Sequence, residues 1–265
     1  MSVGLLPWDD RAEEGVLHAL RDRVAPLTGM LRVEVDPADR DGWIDLAALG
    51  NPTEGPLADL AGRFMTAGFG VNRRAVAASL LLRYGWAAGP IIAAWLACGR
   101  VLKLSDFALK FSPSTLVEAV WMKAARIELP ADRQAGRAAL LVSLLAFSAP
   151  LVASQHQWSR FSRHALWSMV VSSWAAQFSA IGDRLGTRET ALAETRALFG
   201  LDREIAAAAP ELYEVGEGER SRVCQKRSAC CLYFKGPARH FCASCPIIPR
   251  EERLARNRDW VSATD

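Results

Sequence analysis

A chain of 265 residues is large for one domain and small for two full ones, so the length points to one body with a short specialised appendage. With 51% hydrophobic residues, 23% charged and no low-complexity run, it can bury a sizeable core, which excludes a disordered chain. The formal net charge of +3 is modest and informative only through its distribution.

The first residues, MSVGLLPWDDRAEEGVLHAL, place Asp9, Asp10, Glu13 and Glu14 where an export signal needs positive charge followed by an apolar run. The expectation is a cytoplasmic, reducing environment in which structural disulfides do not persist. Residues 11–31 read as an amphipathic helix through Val16, Leu17, Leu20, Val24 and Leu27, and DPADRDGW reads as turns. TEGPLADLAGRFM and RRAVAASLLLRYGW read as helices, and Gly89-Pro90 restarts the chain into another that ends near Cys98-Gly99. The apolar stretch at 75–99 carries Arg83 within it and is broken by Gly85, Gly89 and Pro90, so each piece is too short for a bilayer of roughly 30 Å. Buried core helices are expected there. The same holds for AALLVSLLAFSAPLVAS, interrupted by Pro150, and peripheral contact with the inner face of a membrane stays compatible with both.

Residues 101–129 change character. Val101, Leu102, Leu104, Phe107, Leu109 and Phe111 fit short strands broken by Ser-Asp and Ser-Pro-Ser, with Phe107, Leu109 and Phe111 on one face. From Pro130 helices return, as far as TRETALAETRALFG, and APELYEVGEGERS reads as a linker. The fold class expected is α+β: a mostly helical body with a small antiparallel sheet over 1–218, and a cysteine-rich segment over 219–265. GEGERS and GFGVNR both fail the dinucleotide-binding pattern and there is no P-loop, so no nicotinamide or flavin site is recognisable.

RSACCLYFKGPARHFCASCPIIPR, residues 227–250, holds four of the six cysteines. Zinc, an iron-sulfur cluster and thiol redox chemistry are the ordinary explanations. Thioredoxin-type chemistry needs one Cys-x-x-Cys at the start of a helix, and Pro246 directly follows Cys245. Zinc is usually held by two spaced pairs, whereas Cys230 and Cys231 have no spacer; adjacent side chains tend to diverge, which favours the larger target of a cluster. Spacing by itself leaves zinc and a cluster close to even.

The pattern Cys230-Cys231, ten residues, Cys242-x2-Cys245, with RSACCLYF and CASCP around it, resembles the FhuF-type ferric-siderophore reductases, whose mark is a C-terminal Cys-Cys-x10-Cys-x2-Cys. The resemblance is specific at the motif and general elsewhere. It implies that Cys230, Cys231, Cys242 and Cys245 ligate a 2Fe-2S cluster, that the body binds the siderophore, of a hydroxamate class, and that the activity is one-electron reduction of its Fe(III). An external donor, a ferredoxin or a flavin/NAD(P)H-dependent reductase, would supply the electrons.

Ten basic residues against four acidic ones lie between 219 and 260. Arg222, Lys226, Arg227, Lys235 and Arg239 are candidates to attract an acidic donor or an anionic ferric chelate and to favour the reduced cluster, or else are ordinary solvated charges. His240, two residues before Cys242, reads as a group beside the ligands or on the surface rather than a ligand. His156, Arg160 and His164 fall on one expected helix and could line a substrate pocket beside Trp158 and Trp167, although such tryptophans are more often core. Cys98 is expected in the core; Cys224 is either incidental, a spare ligand or an oxidation site. The alternative function is a non-enzymatic adaptor or regulator with a structural zinc site or an iron-sulfur sensor. Its DNA-binding version would need REERLARNRDW as a recognition helix, which reads equally as a solvated terminal helix, and no nucleic-acid partner is expected.

Overall fold

The computed structural model describes residues 15–51, 53–69, 72–218, 221–236 and 241–263. Of the helix expected at 11–31, residues 11–14 lie outside the described residues; α1, Val16–Val24, ends sooner than expected and gives way to a 3-10 turn at Ala25–Leu27, because Pro26 cannot donate to a continuing helix. The three-residue strands β1 (Arg32–Glu34) and β2 (Trp43–Asp45) follow. Then come α2 (Gly55–Phe64), α3 (Arg73–Tyr84) and α4 (Gly89–Cys98). The Asn72 side chain caps α3 by accepting from the amides of Arg74 and Ala75. Gly99, at φ +64°, ends α4 in the left-handed conformation that glycine adopts at least cost.

The strands β3 (Val101–Phe111) and β4 (Val117–Glu128) form one long hairpin rather than several short strands. Ser105-Asp106 is a bulge in the pairing, not a break. The sheet order is β1-β4-β3-β2, with β1 parallel to β4 and the other pairs antiparallel. The fold is therefore α+β as expected, with a sheet that is mixed, not purely antiparallel. The parallel pair arises because the chain crosses from β1 to β4 through the α2–α4 helices. Phe107, Leu109 and Phe111 are buried as expected, and so is Ala108, since both faces of the hairpin are covered there.

A 27-residue helix, α5 (Arg133–Ser159), runs straight through Pro150. The carbonyl of Phe147, in the turn that this proline disturbs, accepts the Tyr84 hydroxyl at 2.5 Å. Tyr84, Phe147 and Phe107 stack at ring-centroid distances of 4.8 and 4.6 Å, joining α3, α5 and the sheet. Helix α6 (Arg163–Arg184) is central and touches α3, α4 and α5 as well as α7 (Arg188–Phe199) and α8 (Arg203–Ala208). Where α3 meets α6, a Cβ on Gly85 would lie 2.7 Å from Ser173 Cβ, so this crossing accepts only glycine. Residues 73–98 and 133–159 are each long and apolar enough to cross a membrane by composition, and 83% and 50% of their most apolar windows are buried in the protein.

The stretch read as a linker contains β5 (Glu211–Val215), which pairs antiparallel with β6 (Arg222–Lys226). The hairpin straddles the expected boundary at 218/219. With α9 (Arg250–Ala263) it forms a small second core of Val215, Cys224 and Val261, while Cys231 joins the main core. The cysteine-rich segment is packed onto the body rather than tethered to it.

Candidate metal centre

Strand β6 delivers the chain to Arg227, whose amide donates to Ser244 O at 3.1 Å. Cys245 N in turn donates to Cys242 O at 3.1 Å, closing the Cys-x-x-Cys into a turn. These two bonds bring the halves of the motif together. Phe234 stacks on Phe241 at 4.8 Å and fastens the far end of the intervening residues, of which 237–240 lie outside the described residues. Ser228 and Ala229 dock on the body: Ser168 of α6 accepts from the Ala229 amide at 3.0 Å and from the Ser228 hydroxyl at 2.8 Å.

Adjacent Cys230 and Cys231 do converge, contrary to the expectation of diverging side chains. The left-handed residue in their turn is Leu232, at φ +59°, whose amide donates to Cys230 Sγ at 3.3 Å. The neighbouring thiols of Cys230 and Cys242 act as donors toward Cys231 and lower its pKa, helped by the charge of Arg227 and the Tyr233 amide. The hydrogen bond to Cys231 and burial push Cys230 and Cys242 up, and Cys245 bears on both electrostatically. Cys230 and Cys242 thus flank Cys231, with Cys245 near enough to bear on them; Cys231 and Cys245 are buried, and Cys230 and Cys242 half-buried. Among the described residues, no group of three or more Cys, His, Asp or Glu side chains converges as the ligands of a metal ion do.

The residue that organises the set is Arg227. It is only 3% exposed, its Nη2 donates to Cys231 Sγ at 3.4 Å and also to Cys242 Sγ, and its buried Nε has no hydrogen-bond partner among the described residues. No carboxylate pairs with it among those residues. A buried cation left so is costly unless an anion faces it. The donor set therefore fits a thiolate-held group of net negative charge. Arg83 of α3 adds a second cation near Cys231 and Tyr233; burial lowers its pKa, and those two neighbours oppose the change.

Helix α9 clamps the opposite side by its polar face. Arg253 Nη1 donates to Cys245 O at 3.4 Å and Ile248 O at 3.2 Å, Arg256 to Phe241 O at 2.5 Å, and Asn257 to Ala243 O at 3.4 Å. Arg253 and Asn257 are buried while Glu251, Glu252, Arg258 and Asp259 are exposed, so REERLARNRDW is solvated on one side and docked on the other. Sequence reasoning missed this clamp. Its only signal was the i, i+3, i+4 spacing of Arg253, Arg256 and Asn257.

The other candidates scatter. Arg227 faces inward and cannot dock a partner. Lys226 pairs with Glu211 across the hairpin at 3.6 Å, Arg222 is half-buried with Nη1 on Ser221 O, and Lys235 is exposed beside the Phe234 ring. Arg220, Arg239 and His240 lie outside the described residues. His156 and His164 are not on one helix: α5 stops at Ser159, Arg160 turns the chain at φ +56°, and α6 begins at Arg163. His156 Nδ1 bonds Phe161 O at 2.6 Å, His164 is exposed one turn before Ser168, and Trp167 is core. Cys98 is half-buried at the end of α4 rather than in the core. Cys224 sits in the second core, apart from the other four sulfurs, and burial there pushes its thiol up to about 11.

Comparison of the chain with protein-family models gives no match, and comparison with curated proteins gives none either, so the likeness to the siderophore reductases rests on the cysteine pattern and its surroundings alone.

Proposed function

We propose that the chain is a ferric-siderophore reductase whose Cys230, Cys231, Cys242 and Cys245 hold a 2Fe-2S cluster. When bound, such a cluster supplies one electron at a time, drawn from an external donor of the ferredoxin or flavin/NAD(P)H-dependent class. The substrate is Fe(III) held by hard oxygen donors. One added electron gives Fe(II), which those donors hold less well, and the chelate releases it. No protein acid or nucleophile is needed for that step.

The observation that carries this reading is the buried Arg227 guanidinium against the sulfurs of Cys231 and Cys242. A fixed positive charge there offsets the extra negative charge of the reduced state, which favours uptake of the electron that is then passed on to ferric iron. Half-buried Cys230 and Cys242 support an electron exit toward solvent, since the sulfurs are the atoms through which an electron leaves. The proposal places the chain in a reducing compartment, the cytoplasm or the inner face of its membrane, where clustered thiols persist.

The test is anaerobic purification with iron, sulfide and zinc counted on one sample, followed by EPR after dithionite and by turnover of a ferric trihydroxamate with Fe(II) trapped as it forms. About two irons and two sulfides per chain are expected. Cys242→Ser is expected to lose colour and turnover together. A colourless protein with about one zinc per chain, unchanged by reconstitution, would reject the proposal.

A further inference from the structure

The body carries an open groove beside the thiols that the reading above does not use. A cleft of about 390 Å³ is lined by Trp86, Ala176, Ala180, Ala243, Ser244 and Trp260, among others. A second, of about 380 Å³, is lined by Met30, Arg83, Trp86, Leu116, Ala180 and Arg184, among others. Trp86 and Ala180 belong to both, so the two are halves of one groove with Trp86 on the ridge between them. Together they fall in the size range of sites for ligands of several hundred daltons.

Its surface is apolar and aromatic where a soluble face is normally polar. Trp86 is 39% exposed, Trp260 50%, Leu116 48% and Met30 92%. Trp86 is also rigidly mounted. It sits in the short 3-10 turn between α3 and α4, next to the close Gly85 crossing, and its carbonyl accepts Gln177 Nε2 of α6 at 3.1 Å. A fixed tryptophan offers a large contact face at little entropic cost on binding.

The groove reaches the thiols from two sides. Ala243 and Ser244 are the two residues between Cys242 and Cys245, so the first cleft borders the turn that carries those sulfurs. Arg83, in the wall of the second, neighbours Cys231. Among the described residues the walls carry the side chains of Arg83, Arg184 and Arg222 and one carboxylate, Asp183. That balance suits a ligand of zero or negative net charge over a cationic one.

We propose that this Trp86 groove is the chelate-binding site, taking a hexadentate ferric complex of zero or negative net charge with its methylene linkers against Trp86 and Trp260. The proposal rests on the reductase reading. The step it serves is a single transfer: Fe(III) in the groove gains one electron, the thiolate-held group loses one, and the external ferredoxin or flavin donor restores it. No bond is made or broken in the protein.

The test uses the loaded full-length protein and the gallium(III) complex of a neutral trihydroxamate, which mimics the ferric chelate and cannot be reduced by one electron under these conditions. Calorimetry on the wild type, Trp86→Ala, Trp86→Phe and Met30→Glu is read beside the visible and EPR spectra and the rate of ferricyanide reduction, which needs no groove. Trp86→Ala is expected to weaken gallium-chelate binding by about tenfold or more, the loss typical of a central aromatic anchor. Trp86→Phe should recover most of the affinity and Met30→Glu, at the exposed rim, should weaken it several-fold, with spectra and ferricyanide rate unchanged in each. Met30→Glu guards against misfolding of Trp86→Ala, since Met30 is almost wholly exposed. Wild-type affinity in Trp86→Ala and Met30→Glu together overturns the groove while leaving the reductase reading intact. Variants that bind the gallium chelate normally but accept electrons slowly from reduced ferredoxin assign the groove to the donor and overturn it too. A fully loaded wild type that neither binds the gallium chelate nor reduces the ferric one removes the reductase reading itself.

Discussion

Arg227 Nη2 lies 3.4 Å from Cys231 Sγ, in a position that is itself almost sealed from solvent. A hydrogen bond to a charged group contributes about 1.5–3 kcal/mol, and only the part that differs between the two charge states reaches the potential. Because one electron converts a tenfold preference into about 59 mV, Arg227→Gln is expected to lower the midpoint potential by on the order of tens of millivolts. Arg227→Lys, which keeps the charge but not the fork, should fall between. An EPR-monitored redox titration reads the shift, and an unmoved potential in a fully loaded Arg227→Gln protein contradicts the role given to this guanidinium.

Ser168 and the Ala208 carbonyl hold the start of the motif: Ser168 accepts from the Ala229 amide at 3.0 Å and pairs with the Ser228 hydroxyl at 2.8 Å, which also reaches Ala208 O at 2.8 Å. Ser168→Ala leaves a part-buried amide without this acceptor, a cost of about 1 kcal/mol. The expected result is a lower unfolding midpoint and faster loss of bound iron to an added chelator, with an unaltered spectrum in the loaded fraction. Iron release at the wild-type rate would show that the dock does not restrain the cysteines.

The sequence made the cysteine spacing and the long helices legible because both are local patterns. Arg227 was legible only as one of five cations that could favour a reduced cluster: a run of basic residues reads as a solvated face unless something shows which one turns inward. The α9 clamp was hidden for the same reason, since Arg253 and Asn257 look like surface residues until their carbonyl partners at Cys245 and Ala243 are placed. Strands β1 and β2 have three residues each, too few for alternation to show, and they exist through pairing with the long hairpin. Pro150 and Ser105-Asp106 read as breaks, yet a buried helix and a bulged strand continue through them. Trp86 gave no signal, because its exposure depends on how α3 and α4 meet α6.

Cys224 offers a control within the same segment. Burial pushes its thiol up to about 11, so it stays protonated and unreactive at neutral pH. A thiol raised in the folded state contributes stability that is intact below its unfolded value, near 8.5, and is lost as pH rises through about 11. Cys224→Ser is expected to keep the spectrum, the iron content and the turnover, and alkylation of the folded protein at pH 8 should leave Cys224 unlabelled. Loss of iron from Cys224→Ser would make it a ligand after all.

Glu194 ties α7 to α4 and α5, accepting from Arg133 at 2.7 Å, Arg137 at 2.7 and 2.9 Å and Trp95 Nε1 at 3.2 Å. Burial works against its charged form, but the hydrogen bonds and charges of Arg137 and Arg133 outweigh it and hold the carboxyl below its ordinary value of 4.5. A depressed carboxyl contributes stability that is present above its unfolded value and disappears as pH falls through the lower folded one. Breaking a buried pair costs about 3–5 kcal/mol. Arg133 is more than half exposed and can return to water, so Glu194→Gln should cost less than that range, about 2–3 kcal/mol. Unfolding midpoints of both proteins measured from pH 7 downward should differ by a constant amount to about pH 5 and then converge below 4.5. Midpoints that differ equally at pH 7 and pH 3 would mean that the loss comes from packing rather than from the carboxylate.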